Sequence, residues 1–476
     1  MDSYGRKIVS VTGTGTFLSV VNTSSLLIAI PTIIVELKTS FFLAIWIIVA
    51  YALSLTVLTP ILGKYSDIVG RKKLYSAGYL IFFIGSVISA ASLYGTMLLV
   101  GRIVQGIGGA FLFSNSLAII TDTFRTMELR KAMGINAAVV AFGTSIGPLI
   151  GGLLTELTWR AIFLFNIPIS IFGFIFSTGT IKDIPGNKTG HIDKAGALLM
   201  SATVITAIIF MTLLPGLTLF STVFSTLLIA TLTFFFMFII QEMSSRRPII
   251  DTEILRSKIL SASTIALVGG SISRFSVLLI LTLYFQGPLG YSPLYTGILM
   301  IPFAGTMGIF SFVSGYLKGK ASDLFLETLG LLLTGTGSIA LGFIIGSGHE
   351  YFLMSIAMMV AGAGSGMFYT PNSTIIMLSV RAAKRGETAG IRTLMVNLGT
   401  VFGLTMVFLL ISAYVPNSIV NSIFLGIRTP EILSYVDRFD MATTIGFLVS
   451  GLISLLPIPV MLLAGNKVQL SLSDKS

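Results

Sequence analysis

The sequence lacks cysteine and contains few charged residues. Its 476 residues include no Cys, 19 Asp and Glu, 30 Lys and Arg, and two histidines. The absence of cysteine excludes disulfides, thiol nucleophiles and thiolate metal sites. Charged residues make up 10% of the chain, whereas a soluble domain contains about 25%. The chain therefore has too few charges to cover a water-facing surface of its size, and a soluble globular protein is excluded.

Hydrophobic residues are abundant. They make up 54% of the chain, with 35 Phe, 49 Gly and a mean hydropathy of +0.95, which is the reverse of a disordered, charge-rich composition. The first apolar run, Ile8 to Leu37, is longer than the about 7–15 residues of a secretory signal and has no small-residue cleavage pattern. The sequence therefore predicts a membrane protein whose first apolar run is a retained span.

Fourteen runs are long and apolar enough to cross a bilayer, which takes about 20 residues in a helix. The seventh and eighth runs are separated only by the turn dipeptide Pro215-Gly216. We therefore expect an all-α polytopic membrane protein. Its predicted spans are 8–35, 40–62, 73–93, 96–121, 132–155, 159–181, 195–214, 217–240, 259–286, 293–317, 324–346, 351–378, 388–413 and 441–464.

Basic residues follow alternate spans. Most Lys and Arg residues precede the first span or follow an even-numbered span, whereas the other side carries Lys38, Arg160, Arg428 and Arg438. Because cytoplasmic loops are enriched in Lys and Arg, this bias predicts a multi-pass protein with both termini in the cytoplasm. The net charge of +11 is explained by this topology and does not require a nucleic-acid partner.

Parts of the chain recur at one fixed offset. The pattern Gly-Lys-x-Ser-Asp at 63–67 recurs at 319–323, and the glycines at 106, 108, 143 and 147 recur at 362, 364, 399 and 403. Both copies start on the same side of the membrane, so the repeat is parallel. We expect two six-helix bundles, 1–181 and 259–476, with two inserted helices in 182–258. Two such bundles can rock about a central cavity, as alternating access requires.

Several motifs, in order along the chain, carry a family resemblance. Residues 63–73 (GKYSDIVGRKK), 99–109 (LVGRIVQGIGG), 143–152 (GTSIGPLIGG) and 283–286 (LYFQ), with Trp159-Arg160, resemble the major facilitator superfamily and its fourteen-spanner drug:proton antiporters. The resemblance implies the major facilitator fold and secondary active export of drug-like or amphipathic small molecules. It also implies a monomer in the plasma membrane that needs no cofactor or metal.

Two of these motifs supply candidate mechanical residues. The resemblance implies a cytoplasmic gate built from glycines for a tight turn and charged residues, namely Gly63, Asp67, Gly70, Arg71 and the repeated Asp323. Asp67 and Arg71 can pair with each other or with helix ends across the bundles, and Glu327 replaces Arg71 in the second copy. The fifth-span stripe allows close helix packing and a kink, compatible with a role in transport direction: Gly143, Gly147, Pro148, Gly151 and Gly152.

Three arginines fall within spans, where buried charge indicates function. Arg102 and Arg392 lie close enough to a span end to reach the surface, whereas Arg274 falls near the middle of its span. An arginine at that depth should face the central cavity and have a partner. The polar residues that we expect either to line the cavity or to join helices are Asn22, Arg102, Gln105, Asn136, Arg274, Tyr284, Gln286 and Asn397.

The acidic residues all fall at span ends or in loops, Glu327 among them. In the resembled antiporters the first span commonly carries an Asp nine residues before a Pro, and in this chain that position is Asn22, before Pro31. An amide does not titrate, so proton coupling stays open. Two further alternatives stay open, namely a carrier of an anionic metabolite that uses the buried arginines and a transport-inactive sensor.

An enzyme or an ATP-driven pump is not supported by the sequence. A membrane enzyme would need a nucleophile, a base or a metal cluster near the spans, whereas both histidines fall in loops and the carboxylates do not converge. The phosphate-binding pattern G-x-x-x-x-G-K-[ST] does not occur. The predicted partners are therefore a small-molecule substrate, the lipid bilayer and, if coupling exists, protons.

Overall fold

The computed structural model describes residues 1–124, 126–182, 193–214, 221–245, 258–317, 321–347, 350–378, 385–425 and 429–464. Sixteen helices account for most of these ranges, and the helical chain continues beyond the last of them to Ala464. They are α1 (Ser3–Glu36), α2 (Phe41–Val69), α3 (Arg71–Ala90), α4 (Gly95–Thr123), α5 (Thr126–Leu157), α6 (Ala161–Thr180), α7 (Lys194–Leu213), α8 (Thr222–Ser244), α9 (Lys258–Gln286), α10 (Pro293–Leu299), α11 (Ile301–Tyr316), α12 (Asp323–Ser347), α13 (Tyr351–Leu378), α14 (Arg385–Tyr414), α15 (Asn417–Phe424) and α16 (Pro430–Leu455).

The predicted number of spans is confirmed within these ranges. Thirteen helices are long and apolar enough to cross a membrane, and the bent pair α10–α11 supplies the fourteenth span. The two halves of this pair meet at 45° around Met300. Pro302 is the second residue of α11, and because proline has no backbone N–H, it favours a helix start at this position over an uninterrupted helix.

The first signature motif is mostly helical, although the sequence suggested a loop. Helix α2 runs through Gly63 and Asp67 as far as Val69, and the turn is confined to Gly70, whose φ is 108°. The Gly70 N–H donates to the Ser66 carbonyl over 3.0 Å and ends the helix. A single glycine with positive φ is sufficient for this turn, and Gly63 remains part of the helix.

Recurring glycines mark equivalent helix crossings in the two repeats. Gly106 of α4 lies against the backbone of α2, and Gly362 of α13 lies against the backbone of α11. Gly147 of α5 packs on α1, and Gly403 of α14 packs on α9. A β-carbon at any of these four positions would come closer than 3.0 Å to a neighbouring atom. The sequence repeat therefore corresponds to a repeat of helix packing.

The two ends of the helical body differ in how tightly the bundles meet. We call the end at which α1 begins the near face and the end at which α1 terminates the far face. Toward the far face, one hydrophobic cluster includes residues of α1, α2, α9 and α14. There the Gln286 side-chain amide donates to the Ile28 carbonyl over 2.7 Å, and Phe42 packs edge-on against Phe408. The bundles are therefore closed against each other at the far face.

The inserted helices cover one of the seams between the bundles. Ala197 and Met200 of α7 are buried with Leu394 of α14, and Ile61 of α2 packs against the same cluster. Helix α8 packs on α7, and the most apolar stretch of α8 contains no buried residue. Helix α7 therefore bridges α2 and α14, while α8 faces lipid.

Candidate functional site

A cavity lies between the bundles in the half of the protein toward the near face. Helices α4 and α5 line one side of it, and α9, α11, α13 and α14 line the other. Its volume is about 110 Å³, several times the ~10–15 Å³ that a single water molecule occupies on this measure. The far face is closed, so the cavity has the form of a site that opens toward the near face.

Two arginines face this cavity. The Arg274 guanidinium carbon lies 4.1 Å from the centroid of the Tyr369 ring and 4.7 Å from that of Phe275. The Arg392 guanidinium carbon lies 5.6 Å from the same Tyr369 centroid. The Nε atoms of both arginines are buried without a hydrogen-bond partner. Within the described ranges neither arginine forms an ion pair, so the positive charge of both is available to a ligand.

The Tyr369 side chain of α13 contacts both arginines, and this role was not predicted. Its hydroxyl forms a hydrogen bond of 2.8 Å with the Ser271 hydroxyl of α9. The ring is therefore fixed between α9 and α14, where it attracts both guanidinium groups through the negative face of its π-system. The sequence offers no signal for this role, because an aromatic residue in an apolar span usually packs or faces lipid.

A buried carboxyl group lies close to the cavity and corrects the sequence interpretation. Glu327 was placed at a span end, yet it lies in the second turn of α12 and is 0% exposed. One of its oxygens accepts from the Asn372 side-chain amide (2.7 Å) and the other from the Ser263 hydroxyl (3.2 Å). Arg392 interacts with it electrostatically without ion-pair contact. The predicted position near a span end is correct, but the burial of the side chain was not predicted, because distance from a span end does not show which way a side chain points.

Arg102 and Gln105 join helices and lie outside the cavity lining. Arg102 is 0% exposed, so the expectation that it reaches the surface is wrong. Its Nε donates to the Ile47 carbonyl over 3.2 Å, and its guanidinium carbon lies 4.2 Å from the Tyr51 centroid. Gln105 accepts from Arg102 and donates to the Ser86 hydroxyl over 2.9 Å. These partners hold the Arg102 side chain within the N-terminal bundle, where its Nη2 atom is buried without a hydrogen-bond partner.

The other candidate residues are distributed over several environments. Asn136 lines the cavity and accepts from the Thr16 hydroxyl over 3.0 Å. Asn22 accepts from Asn166 over 3.3 Å, which joins α1 to α6. The remaining three lie away from the cavity lining: Tyr284 and Gln286 near the far face, and Asn397 half-buried on α14. Of the eight candidates, the cavity therefore brings together Asn136 and Arg274.

Of the candidate gating residues, Arg71 forms an ion pair and a hydrogen bond within the N-terminal bundle. Arg71, at the start of α3, pairs with Asp122 near the end of α4 and donates to the Ser66 hydroxyl over 3.4 Å. The Asp67 side chain and residues 318–320 of the second copy lie outside the described parts of the structure. Asp323 begins α12 and acts electrostatically on Glu327.

The glycine stripe of α5 contacts two different partners. Gly147 and Gly151 approach Ser24 and Ser25 of α1, within the same bundle, whereas Gly143 makes looser contacts with α1. Gly152, which follows Pro148 by one helical turn, approaches the backbone of α10 in the other bundle. The stripe therefore serves both packing within the N-terminal bundle and closure of the far face.

A pair of helical repeats closed at one face, with a cavity between them, is the architecture of a secondary transporter. The sequence profile of the Major Facilitator Superfamily matches residues 12–404, and the chain belongs to this superfamily. The predicted fold and the prediction of a transporter, not an enzyme, are thereby confirmed.

Curated relatives and solved structures agree with this assignment. The riboflavin transporter RibZ of Clostridioides difficile (strain 630) is 28% identical over 396 residues, covering 82% of this chain and 85% of RibZ. The multidrug resistance protein Stp of Mycobacterium tuberculosis (strain CDC 1551 / Oshkosh) is 25% identical over 411 residues, covering 85% and 75% of the two chains. A bacterial homolog of the human lysosomal transporter Spinster, in an inward-facing and occupied conformation, shares the fold with a TM-score of 0.70, 14% identity and 98% coverage of each chain.

Proposed function

We propose that the protein transports amphipathic organic anions, which bind in the central cavity and are carried by alternating access. The observation that supports this proposal is that Arg274 and Arg392 both lie against the Tyr369 ring in the cavity wall. No carboxylate lines the cavity among the residues that the structure describes. Leu117, Met133 and other apolar side chains make up much of the remaining wall, which suits the apolar part of such a molecule.

The positive charge of the cavity is the main reason for proposing anions as substrates. At an effective dielectric constant of about 20, opposite unit charges about 4 Å apart gain about 4 kcal/mol, and like charges lose as much. A drug-like cation would meet two positive groups in this cavity, whereas the charge of an anion would offset part of their positive charge. The relatives named as riboflavin and multidrug transporters support an organic substrate of drug-like size.

We further propose that the near face is cytoplasmic and that the protein works as a monomer in the plasma membrane. The concentration of Lys and Arg in connections on this side supports the orientation. The cavity is then open to the cytoplasm. In the opposite state, residues 1–181 and 259–476 rock as two bodies, and the inserted pair in 182–258 adjusts at the seam it covers.

A transport assay with three probes of matched shape tests the substrate class. Full-length protein in proteoliposomes is given naphthalenesulfonate, the neutral naphthalenesulfonamide or a naphthyl trimethylammonium. We expect saturable flux of the sulfonate, and Arg392→Gln should reduce it strongly. Arg438→Gln is the matched control because Arg438 is exposed and stacks on Tyr435 at the far end of the protein. Preferential flux of the ammonium probe would contradict the proposal.

Glu327 is our candidate for the proton-binding group. A proton on Glu327 and an anion beside Arg392 change the charge of this cluster in opposite directions, so each favours binding of the other. The charged groups around Glu327 are Asp323 on its own helix and Arg392 of α14, while α9 and α13 present uncharged Ser263 and Asn372. This arrangement predicts that anion and proton move in the same direction, in contrast to the exchange expected of drug:proton antiporters.

Imposed gradients test the coupling. With the voltage clamped, an inward pH gradient should drive sulfonate into wild-type vesicles, and Glu327→Gln should retain exchange of sulfonate while losing the response to pH. Glu350→Gln is the control because this residue is exposed beyond the opposite end of α12. Sulfonate uptake driven by a gradient of the opposite sign would show antiport and would refute the proposed role.

A further inference from the structure

Helix α5 and the bent pair α10–α11 diverge from the far face to the near face. At the far end their backbones touch, because a β-carbon on Gly152 would lie 2.6 Å from the Pro293 carbonyl and one on Gly297 would lie 3.0 Å from the Pro148 carbonyl. Further along, the nearest atom to a β-carbon on Gly308 is 3.8 Å away. The helix pair α10–α11 bends by 45° between these two positions.

A groove occupies the opening between α5 and α11. It has a volume of about 60 Å³ and is lined by small or aromatic residues of both bundles, among them Ala138, Phe142, Gly308 and Phe312. The Phe142 and Phe312 side chains are 52% and 67% exposed on the surface that faces lipid. The remaining lining residues, Ser311 and Thr370, also line the central cavity. The Thr370 hydroxyl donates to the Ser311 carbonyl over 3.5 Å, so these two residues lie between the groove and the arginine cavity. The groove therefore adjoins the cavity at one end and reaches the outer surface beside Phe142 and Phe312 at the other.

The equivalent seam on the other side of the protein is covered. In the parallel repeat, α5 and α11 correspond to α14 and α2, so the counterpart of this groove lies between α2 and α14. Helix α7 packs against both of these helices through Ala197 and Met200. In the parts of the chain that are described, no inserted element packs across α5 and α11 in the same way. Among the described residues, the two seams therefore differ in that an inserted helix packs across the one between α2 and α14.

We propose that this groove is a lateral portal through which an anionic amphiphile with a single alkyl tail passes between the bilayer and the cavity. The anionic head group pairs with Arg274 and Arg392, and the tail lies in the groove between Phe142 and Phe312. This inference rests on the proposed transport of amphipathic anions and adds the route and the tail. The groove and the cavity share the wall residues Ser311 and Thr370, and two arginines line the cavity behind this wall. This arrangement favours an anionic amphiphile as the occupant, and its passage requires Ser311 and Thr370 to move apart.

Alkyl sulfonates of different length test the portal, because they stay ionised and cross bilayers slowly unaided. Full-length protein in proteoliposomes is assayed with butanesulfonate and decanesulfonate. In the Gly308→Phe variant the new ring fills the groove, and the β-carbon itself meets only the Ser145 hydroxyl at 3.8 Å. We expect flux of decanesulfonate to fall about tenfold, equivalent to about 1.4 kcal/mol, while flux of butanesulfonate is nearly unchanged.

The matched control is Gly179→Phe. Gly179 lies on the exposed surface of α6 with no atom within 4 Å of its β-carbon position, and this variant should leave both fluxes unchanged. Equal effects of Gly308→Phe on both probes, or none on decanesulfonate, would overturn the portal while leaving the substrate proposal intact. Failure of the wild type to carry either sulfonate would overturn both proposals.

Crosslinking gives a readout that does not depend on the fold of the Gly308→Phe variant. A photo-reactive phenylalanine analogue replaces Phe312, and in a control it replaces Phe343 of α12, which is 66% exposed compared with 67% for Phe312. We expect radiolabelled decanesulfonate to label position 312 well above position 343, and Arg274→Gln to reduce this labelling. Equal labelling at both positions would indicate that the sulfonate samples all lipid-facing surface and would contradict the portal.

Discussion

The most informative single substitution is Arg274→Gln, because the structure predicts opposite effects on stability and on ligand binding. Arg274 is 4% exposed in the middle of α9. Its guanidinium group is supported by the Tyr369 and Phe275 rings, and its Nε has no hydrogen-bond partner. In the absence of ligand, this buried charge is incompletely compensated.

The expected magnitudes follow from these contacts. An arginine at the bilayer centre costs about 2.5–3.5 kcal/mol on insertion scales, and two cation–π contacts return about 0.5–1 kcal/mol each. Removing the charge should therefore stabilise the ligand-free protein by about 1–2 kcal/mol. A hydrogen bond to a charged group contributes about 1.5–3 kcal/mol, so the affinity for an aryl sulfonate should fall about ten- to hundredfold.

Thermal unfolding in detergent and a binding titration with naphthalenesulfonate measure both effects. Arg102→Gln is the matched control, since Arg102 is also buried (0% exposed, compared with 4% for Arg274) but donates to the Ile47 carbonyl and to Gln105. This control should lower the thermal stability, because it leaves buried acceptors unpaired, and should leave sulfonate affinity unchanged. A loss of stability in Arg274→Gln with unchanged affinity would refute the reasoning and show that Arg274 is structural.

Three further predictions concern helix packing, the near-face ion pair and the first span. Gly151→Ala should destabilise the protein by about 1–3 kcal/mol, because the new methyl group meets the backbone of α1 in the same bundle. Gly152→Ala places its methyl group against α10 of the other bundle. It should therefore loosen closure of the far face and raise the labelling of cysteines introduced there as reporters. Arg71→Gln should change the unfolding free energy by less than about 1 kcal/mol, because its pair with Asp122 is partly exposed. A large loss of transport in this stable variant would therefore indicate that Arg71 acts in gating. Asn22→Asp places a carboxyl group at a fully buried site, where burial disfavours the charged form. The variant should lower the melting temperature more at pH 8 than at pH 5, because the unfolded chain ionises the carboxyl while the folded protein keeps it protonated. Equal losses at the two pH values would show that the new group is already charged in the folded protein.

Span number, the parallel repeat and the superfamily could all be predicted from the sequence. A bilayer of fixed hydrophobic thickness demands apolar runs of a set length. Each such run is one contiguous segment of the chain, so it can be recognised without knowledge of the fold. Close helix crossings demand residues without a side chain, so the recurrence of Gly106 as Gly362 and of Gly147 as Gly403 already indicated equivalent contacts. Each of these signals is carried by a short segment and does not depend on its neighbours in space.

The composition of the cavity could not be predicted in the same way. Arg102 and Arg274 carry the same charge within apolar helices, yet one is bonded inside a bundle and the other faces the cavity. Tyr369 was indistinguishable from packing aromatics, and Glu327 appeared peripheral because it lies near the start of α12. In each case the role depends on the direction of a side chain and on partners contributed by other helices.

By itself, the sequence determined that the chain is built from apolar membrane-spanning segments, fourteen by prediction, and that its halves repeat, and its motifs indicated the fold of a transporter. The tertiary structure alone decided which of its polar residues meet, because Arg274, Tyr369 and Arg392 come from three helices that are separated in the chain and converge only when the C-terminal helices pack. It also decided that α7 covers one seam while the groove between α5 and α11 stays open. Apolar periodicity is fixed along each helix, whereas a binding site is a property of surfaces that helix packing brings together.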